Sequence, residues 1–230
     1  MKWPILKRIR KKTNKIIDHQ LLRLATVLEV RSWPGSPMQE IDLHLPESDM
    51  RYWMAVPYIK FHVGGFIFRD YTPFGWDAGT STCSLLIDLG HQGPGSKWAK
   101  ALRAGVMVQY IITDSSRQQP HPTNLVVGLG DNSSIGHLMA LRQLTIPNIR
   151  FDGAFVADSA QTGNLLNDYF DKPLIPHSCG TALITWLEQQ AYCTAHTSFY
   201  LTGNEDLLIR LQKVLKELGH SNICVRTFWS

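Results

Sequence analysis

Residues 61–104 read FHVGGFIFRDYTPFGWDAGTSTCSLLIDLGHQGPGSKWAKALRA. An aromatic-rich apolar run ends in Arg69-Asp70-Tyr71-Thr72-Pro73. A turn cluster follows at Phe74-Gly75-Trp76-Asp77-Ala78-Gly79, and a second apolar run, Ser81–Leu89, leads to Gly93-Pro94-Gly95-Ser96-Lys97-Trp98. β-Branched and aromatic runs broken by turn residues predict strands. The final segment predicts a helix over Lys97–Ala104, with Ser96 as its cap and Gly105 just past its end. A Gly-Pro-Gly-Ser turn that opens a helix aims unpaired backbone N–H groups and the positive end of the helix dipole at one point, which suits a phosphate. Arg69, Tyr71 and Thr72 at a strand end bring a planar cation, a ring face and a hydroxyl to one groove, groups suited to a pyrophosphate, a stacked ring and a ring nitrogen. Taken singly, each feature is better read as a surface strand end or an ordinary capped loop.

Outward from this stretch the same rhythm holds on both sides. Leu22–Val30, Glu40–Leu45, Tyr58–Phe68 and Val106–Thr113 predict further strands, and Trp33-Pro34-Gly35-Ser36-Pro37 is a turn cluster. Several short strands with one brief helix predict a closed antiparallel barrel over residues 21–113. Asp114–Asn124, which is almost free of apolar residues, reads as a linker between domains. Beyond it, Leu125–Val127 predicts a strand, Gly128–Asn132 a tight turn and Ser133–Leu144 a helix. Phe151–Ala157 then predicts a strand, Thr181–Gln190 a helix, Ser198–Thr202 a strand, Glu205–Leu218 a helix stopped by Gly219, and Asn222–Val225 a strand. Strand–helix alternation means a parallel sheet with crossover helices, a Rossmann-like domain over residues 125–230. Gly128-Leu129-Gly130-Asp131-Asn132-Ser133 approaches the dinucleotide fingerprint, with Ser133 in its third small position, and stands where that fingerprint belongs, between a strand and a helix. Asp158, at the end of the next strand, reads either as a ligand for a ribose hydroxyl or as a turn residue.

The composition, 44% hydrophobic and 18% charged over 230 residues, is that of an ordinary globular protein large enough for two cores. The net charge of +4 is concentrated. Lys2, Lys7, Arg8, Arg10, Lys11, Lys12 and Lys15 precede the first acid, Asp18, and the rest of the chain holds 16 basic against 19 acidic residues. That distribution argues against a nucleic-acid surface on the folded body. Residues 1–20 form a basic arm in which 4–17 can be helical with a thin apolar stripe of Ile5, Ile9, Ile16 and Ile17. It reads as a solvated arm or as a surface-seeking membrane helix. Neither a signal peptide nor a membrane span is recognisable, so a cytoplasmic protein without integral membrane association is expected. Cys83, Cys179, Cys193 and Cys224 form no C-x-x-C pair and are expected to be buried free thiols. His19, His44, His62, His121, His137, His177 and His196 are read as structural or surface residues.

Together these motifs resemble the siderophore-interacting protein family, FAD-containing ferric-siderophore reductases of the ferredoxin-NADP reductase superfamily. The resemblance runs from about Leu21 to Trp229 and rests on Arg69-Asp70-Tyr71-Thr72, Gly93-Pro94-Gly95-Ser96-Lys97-Trp98-Ala99, Gly130-Asp131-Asn132-Ser133-Ser134-Ile135, Gly203-Asn204-Glu205 and Phe228-Trp229. It implies that Arg69, Tyr71 and Thr72 hold the flavin phosphate, ring and ring edge. Gly93, Gly95, Ser96 and Trp98 would receive the FAD phosphates, while Gly130, Asp131, Ser133 and Ser134 would form the mouth of the site for NADH or NADPH. Lys60 would attract an anionic ferric chelate, and Trp229 would lie near the flavin. The implied reaction passes electrons from NADH or NADPH through FAD to a ferric siderophore or other ferric chelate, releasing Fe(II); the cofactor carries the redox chemistry and no general acid or base is needed. The chain departs from the family pattern at Asp88, Leu89 and His91, where a His-Gly pair is usual, at Gly136 in place of Pro, at Phe228 in place of Tyr, and in stopping at Ser230. Those departures leave open a second reading, an FAD- or ferric-chelate-binding module fed by a ferredoxin or lacking efficient turnover of NAD(P)H.

Overall fold

A computed structural model describes residues 22–116, 118–146, 149–171 and 173–229. The expected arm and its helix over 4–17 lie outside the described residues. Seven strands form an antiparallel sheet: β1 (Arg23–Ser32), β2 (Met38–His44), β3 (Pro57–Gly64), β4 (Ile67–Tyr71), β5 (Phe74–Asp77), β6 (Thr82–Asp88) and β7 (Met107–Ser115). Their spatial order is β4-β3-β7-β1-β2-β6-β5. The two edge strands, β4 and β5, are consecutive in the chain and joined only by Thr72 and Pro73. The sheet must therefore curl until its edges meet at that dipeptide, which is how an antiparallel sheet disposes of its edges. Alternate residues point inward, and Val27, Ile41, Leu43, Ile59, Phe61, Leu85 and Tyr110 form a fully buried core.

Three expectations for this half are corrected. Tyr58–Phe68 is not one strand but a hairpin, because Gly64 and Gly65 both take positive φ and turn the chain between β3 and β4. The predicted turn at Phe74–Gly79 begins with β5, which pairs with β6. The helix, α1, spans Pro94–Ala101 and not Lys97–Ala104: Pro94 sits in its first turn, Gly93 is the N-cap, and no side chain caps it.

Five strands form the second sheet, all parallel: β8 (Leu125–Asp131), β9 (Arg150–Val156), β10 (Ile175–His177), β11 (Thr197–Asn204) and β12 (Ile223–Trp229). The order β10-β9-β8-β11-β12 reverses direction at β8, the topological switch point of a Rossmann-like sheet. Helices α2 (Ile135–Thr145) and α3 (Ala160–Phe170) cover one face, while α4 (Gly180–Gln189) and α5 (Glu205–Glu217) cover the other. The expected turn at Gly128–Asn132 is corrected: β8 continues to Asp131 because it pairs with β9 on one side and β11 on the other. A three-residue 3-10 turn, Asn132–Ser134, then leads into α2. Helix α3 and strand β10 are additional to the elements the sequence predicts. No described helix is long and apolar enough to cross a membrane.

The halves share one core. Trp33, Met38, Val56, Phe74 and Leu86 of the first half cluster with Ile135, Leu138 and Met139 of α2 and with Phe155 and Tyr200 of the second sheet. The segment after β7 is bound to both: Val56 and Gln118 pair through their backbones, and the Tyr200 hydroxyl accepts from the His121 amide at 2.8 Å. Of the cysteines only Cys83 is buried; Cys179 and Cys193 are exposed and Cys224 is half-buried, against the expectation of four buried thiols.

Candidate functional site

Where the curled sheet's edges meet, β4 ends at Tyr71 and is followed by Thr72, while β6 ends at Asp88 and leads through His91 to α1. Facing them is the switch point of the parallel sheet. Between the two lies a cleft of about 760 Å³. The first sheet lines it with Lys60, Arg69, Tyr71, Thr72, Gly93, Gly95 and Ser96; the second contributes Ser133, Gly136, His137, Arg226 and Phe228. All the residues expected to hold a ligand on the barrel side except Trp98 therefore reach one space.

Tyr71 is the pivot of that wall. One face of its ring stacks on Trp98 at 5.6 Å between centroids and 20° between planes, and Phe61 packs beside it at 6.2 Å. Trp98 thus supports the cleft from behind. Burial pushes the Tyr71 phenol up to about 12, so it stays protonated at neutral pH. A Cβ placed on Gly95 would lie 2.3 Å from the Tyr71 hydroxyl, so this position accommodates the ring only as glycine. Because no side chain caps α1, the amides of Gly95 and Ser96 keep the open, anion-seeking character of a helix start. Arg69 lies against the same turn, its Cγ 3.5 Å from the Gly95 Cβ position, with Nη1 donating to the Phe68 carbonyl.

The second wall behaves differently. Asp131 accepts from the Ser133 amide at 2.9 Å, the Ser133 hydroxyl at 2.6 Å and the Asn204 amide at 2.6 Å. Ser134 is fully buried and bonded to the Asp131 backbone. A Cβ on Gly130 would stand 2.0 Å from the Ser134 hydroxyl and 2.4 Å from the Thr202 carbonyl. Gly130, Asp131 and Ser134 therefore tie β8, β11 and the start of α2 together, and of this segment only Ser133 lines the cleft. Trp229 closes β12; its side chain lies outside the described residues, and Phe228 lines the cleft beside it. Lys60 lines the cleft, but its ammonium sits 2.7 Å from the Asp70 carboxylate, which cancels its charge locally. Asp158 is exposed and accepts from the Thr162 hydroxyl at 2.7 Å, closing the first turn of α3.

His137, Arg226 and Phe228 complete the cleft, so His137, expected to be structural, also lines the site. Burial first, and the neighbouring Arg226 cation second, push the His137 imidazole down to about 3, so it is neutral. Its Nε2 donates to the Gln118 side-chain oxygen, which leaves Nδ1 unprotonated and, among the described residues, without a partner. The Phe228 ring meets the imidazole edge-on at 5.6 Å. A signal for these residues existed. Ser133, Gly136 and His137 have the helical spacing that puts them on one face, and Arg226 shares a strand face with Phe228.

No protein-family model and no curated protein sequence matches this chain. Solved structures do match in fold. A type IV self-sufficient cytochrome P450 monooxygenase aligns over 90% of this chain at 16% identity with a TM-score of 0.73; this chain spans 28% of that protein. The siderophore-interacting protein SipS from Aeromonas hydrophila aligns over 90% of this chain and 91% of its own length, at 15% identity and a TM-score of 0.70. A flavohemoglobin from Malassezia yamatoensis with bound FAD and heme aligns over 90% of this chain and 60% of its own, at 12% identity and a TM-score of 0.69. The shared architecture is the antiparallel barrel followed by the Rossmann-like parallel sheet.

Proposed function

We propose that this chain is a flavin-dependent oxidoreductase that holds FAD in the cleft, takes electrons from NADH or NADPH and reduces a ferric siderophore, releasing iron as Fe(II). The observation that carries the reading is the convergence of Arg69, Tyr71, Thr72, Gly93, Gly95 and Ser96 on one cleft from two separate segments, the end of β4 and the start of α1. These residues fit the cofactor. Arg69 and the uncapped start of α1 receive phosphate, Tyr71 offers the ring face that Trp98 does not occupy, and Thr72 supplies a hydroxyl at the ring edge. Bound there, FAD would supply hydride acceptance and single-electron donation. The protein's own part is to orient the ring against Tyr71 and, with His137 neutral, to keep a second titrating charge out of the wall. FAD bound in the same fold in the Malassezia flavohemoglobin, and the fold shared with SipS along nearly the whole of both chains, support the assignment.

One observation favours a second electron source. Gly130, Asp131 and Ser134 spend their polar groups on each other and on Asn204, which leaves few donors for a nicotinamide dinucleotide and suits a ferredoxin as donor. The two are separated by anaerobic turnover with a ferric chelate and an Fe(II)-trapping dye. The purified protein should show flavin absorption and oxidise NADH or NADPH as the dye colours. A protein that remains colourless with added FAD would overturn the reading, whereas a yellow protein inert to both nucleotides but active with reduced ferredoxin would establish the second source.

A further inference from the structure

We infer that Arg226 is the anion receptor of this cleft, taking a carboxylate of the ferric chelate at the rim between the two sheets, and that Lys60 is not. The inference rests on the reading of the cleft as a flavin and chelate site, and it follows from an account of the charges that line it. Lys60 is held 2.7 Å from Asp70. Arg69 donates to the Phe68 carbonyl and lies against the Gly95 turn, where the phosphate end of the cofactor belongs. His137 is a neutral imidazole bonded to Gln118. Of the acids, Asp70 is engaged by Lys60, and Asp88 accepts from the Gly90 amide and stands 3.7 Å from His91. What remains is Arg226, whose guanidinium accounts for the uncompensated positive charge at the Tyr58 end of the cleft.

The way Arg226 is held suits it to reception. Its guanidinium carbon lies over the Tyr58 ring at 5.4 Å and over the Phe228 ring at 5.9 Å, so β3 of one sheet and β12 of the other hold it from two sides. The Tyr58 ring is itself fixed by a hydroxyl bond to Asp114 at 3.0 Å. Attraction to a ring face positions a cation without consuming its N–H donors. Among the described residues no carboxylate or carbonyl accepts from Arg226. A guanidinium held by stacking with its planar fork open matches a carboxylate in two-point geometry, which a lysine ammonium does not. Chelates that present carboxylates should therefore be preferred over chelates that present only neutral hydroxamates.

The test uses the FAD-loaded full chain and calorimetric titration with gallium(III) citrate, a redox-inert stand-in for a carboxylate chelate, beside a gallium(III) trihydroxamate. Arg226→Met should weaken citrate-complex binding about 10- to 100-fold, and Arg226→Lys should fall between it and the parent, because charge is kept and the fork is lost. Trihydroxamate binding should be unchanged by either substitution, and Lys60→Met should shift citrate binding by no more than about twofold. The inference is overturned if the parent protein does not bind the citrate complex, if Arg226→Met binds it as the parent does, or if Lys60→Met causes the larger loss. It is also overturned if the effect of Arg226→Met falls on NADPH and not on NADH or citrate, which would assign the fork to a ribose phosphate. FAD uptake is followed separately by visible absorption. A chain that takes up no FAD yet binds gallium citrate through Arg226 would end the flavin reading and leave this one standing.

Discussion

The two walls of the cleft carry similar residues and use them in opposite ways. On the barrel side, Arg69 spends one N–H on the Phe68 carbonyl, and the start of α1 has no side-chain cap. On the parallel-sheet side, Asp131 accepts three hydrogen bonds and Ser134 is buried within the turn it closes. Polar groups in a folded chain are satisfied internally unless something else satisfies them. The barrel segments at Arg69–Thr72 and Gly93–Ser96 are therefore shaped for a ligand, while Gly130–Ser134 is a joint that carries β8 into α2 and positions Ser133, Gly136 and His137.

That contrast can be broken by substitution. The largest effect should come from Arg69→Ala with Tyr71→Ala, which removes the proposed phosphate partner and ring face and should weaken FAD binding about 100- to 1,000-fold. Fluorescence titration measures the loss, and a urea midpoint close to the parent's would show that the wall serves the ligand and not the fold. Asp131→Ala should do the reverse. It orphans three donors and should cost about 2–4 kcal/mol in urea unfolding, while FAD affinity stays within about threefold of the parent; a large loss of FAD with an unchanged midpoint would reverse the roles of the two walls.

His137 sharpens the comparison through pH. Its imidazole is held at about 3 in the folded protein and returns toward 6.5 on unfolding. The unfolded chain thus binds the extra proton below 6.5, and stability present above that pH is lost as pH falls toward 3, by about 1.4 kcal/mol for each unit. His137→Gln should flatten that stretch of the pH profile of the urea midpoint; an unchanged slope would place the titration elsewhere. The smallest effect is expected from Gly95→Ala. The added methyl displaces the Tyr71 hydroxyl and should weaken FAD binding about tenfold. A crystal structure of the variant should show the Tyr71 ring shifted from Trp98; an unmoved ring with unchanged affinity would mean that the turn yields instead.

How far the site could be read in the chain differs between the walls for the same reason. Arg69-x-Tyr71-Thr72 and Gly93-Pro94-Gly95-Ser96 are local: a strand end and a helix start display their groups whatever packs behind them. Gly130-Asp131-Asn132-Ser133-Ser134 looked like a second binding segment because its residue types are those of one. Its bond from the Asn204 amide to Asp131 joins positions 73 residues apart, and no local pattern announces it. The missed helix α3 owes its place to burial of Thr162, Gly163 and Leu166 and to the ring contacts of Tyr169 and Phe170 with Trp33. Its own sequence carries a weak apolar face. The hairpin inside Tyr58–Phe68 was written in Gly64-Gly65, and the unbroken apolar character on both sides hid it.

The sequence by itself determined the order of an antiparallel half and an alternating half, the glycine-rich turn that opens α1 and the aromatic strand end, because these follow from periodicity and from the backbone needs of glycine and proline over a few residues. Tertiary structure alone decided which polar groups stay open. Lys60 is cancelled by Asp70 on the neighbouring strand, His137 is neutralised by burial, and Arg226 is lifted between Tyr58 and Phe228 from two different sheets. Charge and solvation depend on distances across the fold, and those are fixed only when both sheets have closed on the cleft.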